Sequence, residues 1–267
     1  MATIAFGASY GVQMRGWSSA LGLVCGWTGA ALWAIGVTVL QPMTEPADWA
    51  ENNTYWVRDV RWMAIFAVFA TLILLVRGDR IRSGLAALGV ACWLGVDLWL
   101  DRIDVAGSNS TKWAAALGCL VVLAAFLVES LSPGRPDHRV LAAAAGVAAA
   151  TVPMAVLIES PTDTEAALSR SALALGFLLT AVAVGGAVSA AASPTVRNVV
   201  LAIGSAIAAA GLVVLVRVVP IDVRILALFP LIAVLLTGVG QCAGPGRALL
   251  ARWLAMDSSR WPYRSPT

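Results

Sequence analysis

Residues 83–104 read SGLAALGVACWLGVDLWLDRID, and residues 83–100 of that stretch carry a single charged side chain, Asp97. Eighteen residues of helix rise about 27 Å, close to the roughly 30 Å of a bilayer's hydrocarbon, so the stretch predicts a transmembrane helix. Trp93, Asp97, Asp101 and Asp104 follow one another at intervals of four, four and three, which puts them on one helical face. A carboxylate at the depth of Asp97 costs about 2.5–3.5 kcal/mol when it meets lipid at a helix centre. It is therefore expected to face protein, water or a ligand.

The same kind of run recurs along the chain. Apolar stretches bounded by Pro, Gly or charge fall near 18–40, 60–76, 83–100, 113–130, 140–158, 171–192, 198–219 and 225–242. Of the 267 residues, 60% are hydrophobic and 12% charged, and the mean hydropathy is +0.84. Soluble domains carry about 25% charged residues, so a soluble globule is excluded. The expected fold is all-α, a polytopic transmembrane bundle of about eight spans, or seven if the short second run does not cross. One domain is expected over 1–245, followed by an interfacial amphipathic cytoplasmic tail over 246–267, where Leu249, Leu250, Trp253 and Leu254 alternate with Arg247 and Arg252.

With the N-terminus inside, 11 of the 18 basic residues lie on the inner side, and the positive-inside rule favours that orientation. Both termini are then cytoplasmic. The use of Arg in place of Lys, with abundant Ala, Val and Leu, suggests a bacterial cytoplasmic membrane. MATIAFGASY lacks the basic start of a secretory signal peptide.

Several chemistries are disfavoured. His138 is the sole histidine, and Cys25, Cys92, Cys119 and Cys242 stand singly, which argues against haem, zinc and dithiol exchange. No Walker A, GxGxxG, HExxH or GxSxG pattern occurs, and no internal repeat is obvious, the Trp-rich first half differing in composition from the Ala-, Val-, Leu- and Gly-rich second. No cofactor and no nucleic-acid partner are expected. Lys112 lies at a helix edge, which disfavours a retinal Schiff base. Gly22 and Gly26 form one GxxxG in the first span, a packing signal.

Candidate functional residues gather on the outer side. The loop and span start QPMTEPADWAENNTYWVRDVRW, residues 41–62, hold Arg58, Asp59 and Arg61 among Trp49, Tyr55, Trp56 and Trp62. Asp59 would lie between Trp56 and Trp62 on one helical face. VRVVPIDVR, residues 216–224, adds Arg217, Asp222 and Arg224. Each set has a plainer reading: a solvated loop with an interfacial aromatic belt for residues 41–62 with Asp59, an ion-pair partner for Arg58, Arg61 or Arg102 for Asp97 and Asp101, and a loop ion pair with a neighbouring Arg for Asp222. Trp27, Trp33 and Trp93 fall near mid-span, where an interfacial aromatic belt would not place them. With Trp56, Trp62 and Trp99 they are candidates for lining an apolar pocket whose indole faces stabilise a cation, at about 0.5–2 kcal/mol each.

Asp59 in WVRDVRW and Asp222 in VVPIDVR, together with the chain size and Trp content, resemble the integral membrane terpene cyclases, the fungal meroterpenoid cyclases and the actinobacterial indole sesquiterpene cyclases. That family uses two acids, one near the start of an early helix and one near the C-terminal end. Here the count is eight spans against seven in the fungal members, and Asp59 stands where a Glu is usual. The resemblance implies a metal-independent cyclisation of a farnesyl-type substrate, begun by protonation of an alkene or epoxide. Asp59 or Asp97 would be the donor, and Asp222 or Asp101 the terminating base or electrostatic stabiliser. Trp27, Trp56, Trp62, Trp93 and Trp99, with Arg58 and Arg61, would bind a lipophilic prenylated substrate entering from membrane lipid. Alternatives are a transporter using Asp97 and Arg217, a Mg²⁺-dependent prenyl or lipid enzyme using Asp97, Asp101 and Asp104, and a scaffold or sensor.

Overall fold

The computed structural model describes residues 2–44, 51–103, 105–158, 166–191, 196–219 and 221–242, with side chains over 16–44, 55–103, 105–158, 167–191, 200–219 and 224–240. Among these residues there is no strand. The elements are α1 (Ala2–Ile35), a π-helical turn (Gly36–Leu40) and a last helical turn α2 (Gln41–Thr44), which run on from one another. They are followed by α3 (Glu51–Leu75), α4 (Arg80–Arg102), α5 (Ser108–Leu131), α6 (His138–Leu157), α7 (Ala166–Ala190), α8 (Val196–Val218) and α9 (Ile221–Cys242). The eight expected spans each fall on one long helix. Six stretches, Gly16–Thr44, Arg80–Arg102, Ser108–Leu131, His138–Leu157, Ala167–Ala190 and Val200–Val218, are long and apolar enough to cross a membrane. The expected tail lies outside the described residues.

α3 and α7 form the centre of the bundle. α3 is buried on nearly all sides from Val57 to Val76, which is why its charged first half needs protein partners rather than water. α1 packs along α3 through small residues. A Cβ added to Gly22, Gly26 or Gly29 would come within about 3.2 Å of Leu75, Thr71 or Val68 of α3, so the GxxxG spacing marks a real helix contact. α7 presents Gly186 to Ala145 of α6. Pro153 and Pro230 both sit inside continuous helices.

The turns at the Arg82 end are tied by hydrogen bonds. α3 stops where Arg77 and Gly78 take positive φ values of 56° and 70°. Gly78 N–H then donates to the Ile73 carbonyl at 2.9 Å, which satisfies an orphan carbonyl of the helix end. An added Cβ at Gly78 would meet the Asp137 carbonyl. Asp79 caps α4 by accepting from Arg82 N–H at 3.1 Å, and it also accepts from Arg135 N–H at 3.0 Å. Asp137 caps α6 and pairs with Arg80 at 2.7 Å.

Candidate functional site: an ion-paired cluster beside a lateral slot

The buried face of α4 is Ser83, Val90, Trp93 and Asp97, a single helical stripe turned toward the bundle. Asp97 is wholly buried. Its Oδ1 accepts from Trp33 Nε1 at 2.8 Å, and its Oδ2 accepts from Arg61 Nη2 and Trp62 Nε1, both at 3.1 Å. Arg61, also fully buried, gives its other terminal nitrogen to Asp101 Oδ1 and to Gln41 Oε1, each at 2.7 Å. Arg58 completes the set by pairing with Asp101 at 3.0 Å while lying over the Tyr55 ring. Two arginines and two aspartates are thus neutralised in one cluster joining α2, α3 and α4, with Trp33 of α1.

The backbone makes room for it. A Cβ on Gly36 would stand 2.6 Å from Arg61 Cγ, so a glycine is required where the Arg61 stem crosses α1. The π-helical turn begins at this glycine, and such wide turns often mark functional positions. The turn carries Thr38, which donates to the Ala34 carbonyl and meets Thr111 of α5 at 2.6 Å. Gln41 then falls on the Arg61 side.

Beyond the indoles of the cluster lies a slot. α4 packs on α3 and α5 packs on α1, while α4 and α5 part through the middle of the bundle. The space between them is about 450 Å³ and is walled by Leu72, Leu85, Gly89, Val121, Trp33 and Trp93, among other apolar residues. Its α4 wall runs from Arg82 to Val96, about 21 Å of helix. Trp33 and Trp93 close one end as an edge-to-face pair with ring centres 5.0 Å apart, a favoured aromatic geometry. Trp33 also reaches Asp97, so the same indole belongs to the cluster and to the slot. At the other end Arg82 bonds Glu129 and the Ser132 carbonyl of α5 and its C-cap.

The other expected site residues are dispersed. Asp59 is half-buried on α3 next to Arg58, and among the described residues its carboxyl makes no hydrogen bond or ion pair. Trp56 packs half-buried on the main core. Trp62 lies in the cluster and Trp93 in the slot wall. Trp27 and Trp99 are exposed on the bundle surface, Trp27 with its N–H on the Cys119 carbonyl, and neither lines the slot. Asp222 is the second residue of α9, and its side chain lies outside the described residues, as does Asp104 altogether. Arg217 holds the α6 end through the Val156 and Ile158 carbonyls and Ser169. It has no described contact with Asp97.

In this arrangement Asp97 is an acceptor toward every partner it has, which suits an electrostatic anchor. A Mg²⁺ ion at Asp97 and Asp101 would have to displace guanidinium from both. Among the described residues no three His, Cys, Asp or Glu side chains converge as a metal site. Sequence reasoning missed Gln41, Arg82 and Glu129 as members of the site. A polar Gln directly after an apolar run was the available signal for the first. Comparison with protein-family models, curated proteins and solved structures finds no match for this chain.

Proposed function

We propose that the chain is a membrane-embedded binding protein for a lipophilic, chain-like small molecule that enters the α4–α5 slot sideways from the bilayer. The observation that carries this reading is the slot itself: about 450 Å³ with walls almost entirely apolar, within the usual size range of ligand pockets. At roughly 21 Å by one helix gap it is shaped for a single chain rather than a compact ligand. The ion-paired cluster fixes α4 against α3 at one end, and Arg82 fixes it against α5 at the other, so the gap is held between two polar ties. A diazirine-bearing farnesyl probe, photolysed in proteoliposomes, tests this by peptide mass spectrometry. Adducts concentrated on 82–96 and 117–128 are the expected result. Adducts spread evenly over the lipid-facing helices would count against a site.

One observation favours a second reading, protonation-initiated cyclisation of a prenylated substrate. Asp59 is a half-buried carboxyl with no described bonding partner at the cluster's end of the bundle, and Trp56 and Trp62 stand three residues to either side of it. The slot wall holds no carboxyl, Asp59 included, so on this reading the reacting end of the substrate lies outside the slot, where Asp59 supplies the proton, the Trp56 and Trp62 faces stabilise the cation, and the final proton returns to Asp59 or to water. Membranes containing the protein would convert a farnesylated aromatic substrate to an isomer of equal mass, with or without EDTA. That product would vanish in Asp59→Asn. Retention of the product in Asp59→Asn would remove this role.

A further inference from the structure

The long helices fall into two sets of four, α1 with α3–α5 and α6 with α7–α9; α1 begins at Ala2 and α6 at His138, 136 residues apart, while the other three pairs keep a near-constant spacing. α3 and α7 begin at Glu51 and Ala166, 115 residues apart, α4 and α8 at Arg80 and Val196, 116 apart, and α5 and α9 at Ser108 and Ile221, 113 apart. The contacts keep that register. α1 meets α3 at Gly26 with Thr71, its π-helical continuation meets α3 at Gly36 with Arg61, and α6 meets α7 at Ala145 with Gly186 and at Val156 with Gly176. The two contact points are ten residues apart on both α3 and α7, and Arg61 and Gly176 are themselves 115 apart. α3 reaches α4 through Arg61 and Asp97, and α7 reaches α8 through Gly176 and Val213, with Asp97 and Val213 again 116 apart. Between the sets, α1 packs on α7, α3 packs on α6, and α3 meets α7, as a twofold exchange requires. α1 and α6 run the same way, so the axis lies along the membrane normal, the parallel type of internal repeat.

The plan breaks at one place. α8 packs along α9, where a Cβ on Gly238 would stand 2.6 Å from Ser205 Cβ. The same shifts of 116 and 113 residues carry Ser205 to Gly89 and Gly238 to Ala125, and both of those line the slot. The seam that is shut in the second set is therefore open in the first, at equivalent positions. An added Cβ on Gly89 meets nothing within 4 Å, and the same holds for Gly84 and Gly95 on α4.

We propose that α4 is a gate on the slot: its closed position is that of α8 on α9, with Gly89 against Ala125, and its open position admits the lipophilic chain. This rests on the binding reading above. Both ends of α4 are tied, by Asp97 to Arg61 and by Arg82 to Glu129, so the movement is confined to the stretch between them, with Gly89 at its centre and Gly84 and Gly95 next to the ties. Lipid solvates apolar walls about as well as protein does, so neither position is strongly favoured without a ligand.

Disulfide trapping in proteoliposomes tests this, with Gly89→Cys and Ala125→Cys in the full chain whose native cysteines are replaced by alanine. Ser205→Cys with Gly238→Cys in the same background is the reference pair, and it is expected to oxidise at once. The slot pair is expected to oxidise about tenfold more slowly and to be slowed at least threefold more by farnesol. Absence of the slot disulfide while the reference disulfide forms overturns the gate. Slot labelling by the farnesyl probe with no slot disulfide keeps the binding reading and removes the gate, whereas a slot disulfide insensitive to farnesol with no labelling keeps the gate and removes the binding reading. Should the cysteine-free background not fold, alkylation of the native Cys92, which lines the slot, reads the occupancy on which the gate rests. Farnesol is expected to slow it at least threefold, and no protection would overturn the binding reading and with it the gate.

Discussion

Removing Arg61 and Asp97 together is expected to cost less than the two single removals summed. Arg61→Met leaves Asp97 buried with only the Trp33 and Trp62 donors, at 2.8 and 3.1 Å, while Asp101 keeps Arg58. Breaking a buried pair from one side costs about 3–5 kcal/mol, and the two remaining indole bonds put this case near the low end, about 3 kcal/mol. Asp97→Leu leaves Arg61 with Asp101 and Gln41, both at 2.7 Å, but strands the Trp33 and Trp62 N–H groups, for a similar cost of about 3 kcal/mol. The double variant removes both charges and should fall short of the summed costs by about 1.5 kcal/mol or more, because no buried charge is left facing the gap. Unfolding by SDS in mixed micelles, followed by near-UV circular dichroism, gives the four free energies of the cycle. Single costs below about 1 kcal/mol, or costs that add within about 0.5 kcal/mol, would refute a coupled buried pair.

Gly36→Val should cost about 1–3 kcal/mol by driving a side chain into the Arg61 stem, read by the same unfolding assay. Asp59→Asn should leave stability within about 0.5 kcal/mol, since its carboxyl has no described partner to lose, so any loss of isomerase activity in that variant would be chemical. Asp79 lies below the usual carboxylate range chiefly because Arg82 N–H donates to it, with Arg135 N–H adding to this, and Asp137 chiefly because Arg80 bonds it, with Arg139 N–H adding to this. Groups depressed in the folded state stabilise fully above their unfolded value of about 3.9 and lose that contribution as pH falls through the folded value. The unfolding temperature should therefore be flat from about pH 7 to 5 and fall below about pH 4, and Asp79→Asn should flatten part of that fall.

Hydropathy made the helices legible, because a bilayer-length apolar run leaves the backbone few options but helix. α3 was the weakest run for the same reason that it matters: Arg58, Asp59 and Arg61 interrupt its hydropathy yet lie in the helix, where Arg61 is buried by tertiary partners. The face carrying Trp93, Asp97 and Asp101 was legible from spacing alone. Its partner was not, since nothing local to α4 says that Arg61 of α3 and Trp33 of α1 will meet it. The π-helical turn is illegible too, since the Arg61 stem that passes its first residue, Gly36, comes from another helix. The repeat escaped notice because it is kept in helix starts and contact register, while the residues differ: Arg61 answers to Gly176, and Asp97 to Val213. The slot is the least legible feature, being a contact that α4 and α5 do not make.

That a lipophilic chain occupies this slot is tested most directly by filling it. Gly89→Phe projects a ring into the open gap, while Gly211→Phe on α8 adds the same ring where an added Cβ likewise meets nothing within 4 Å. Photolabelling of both variants with the farnesyl diazirine probe should show adducts on 82–96 and 117–128 at the level of the unsubstituted chain in Gly211→Phe, and at least tenfold fewer in Gly89→Phe. Equal labelling of the two variants would contradict the account.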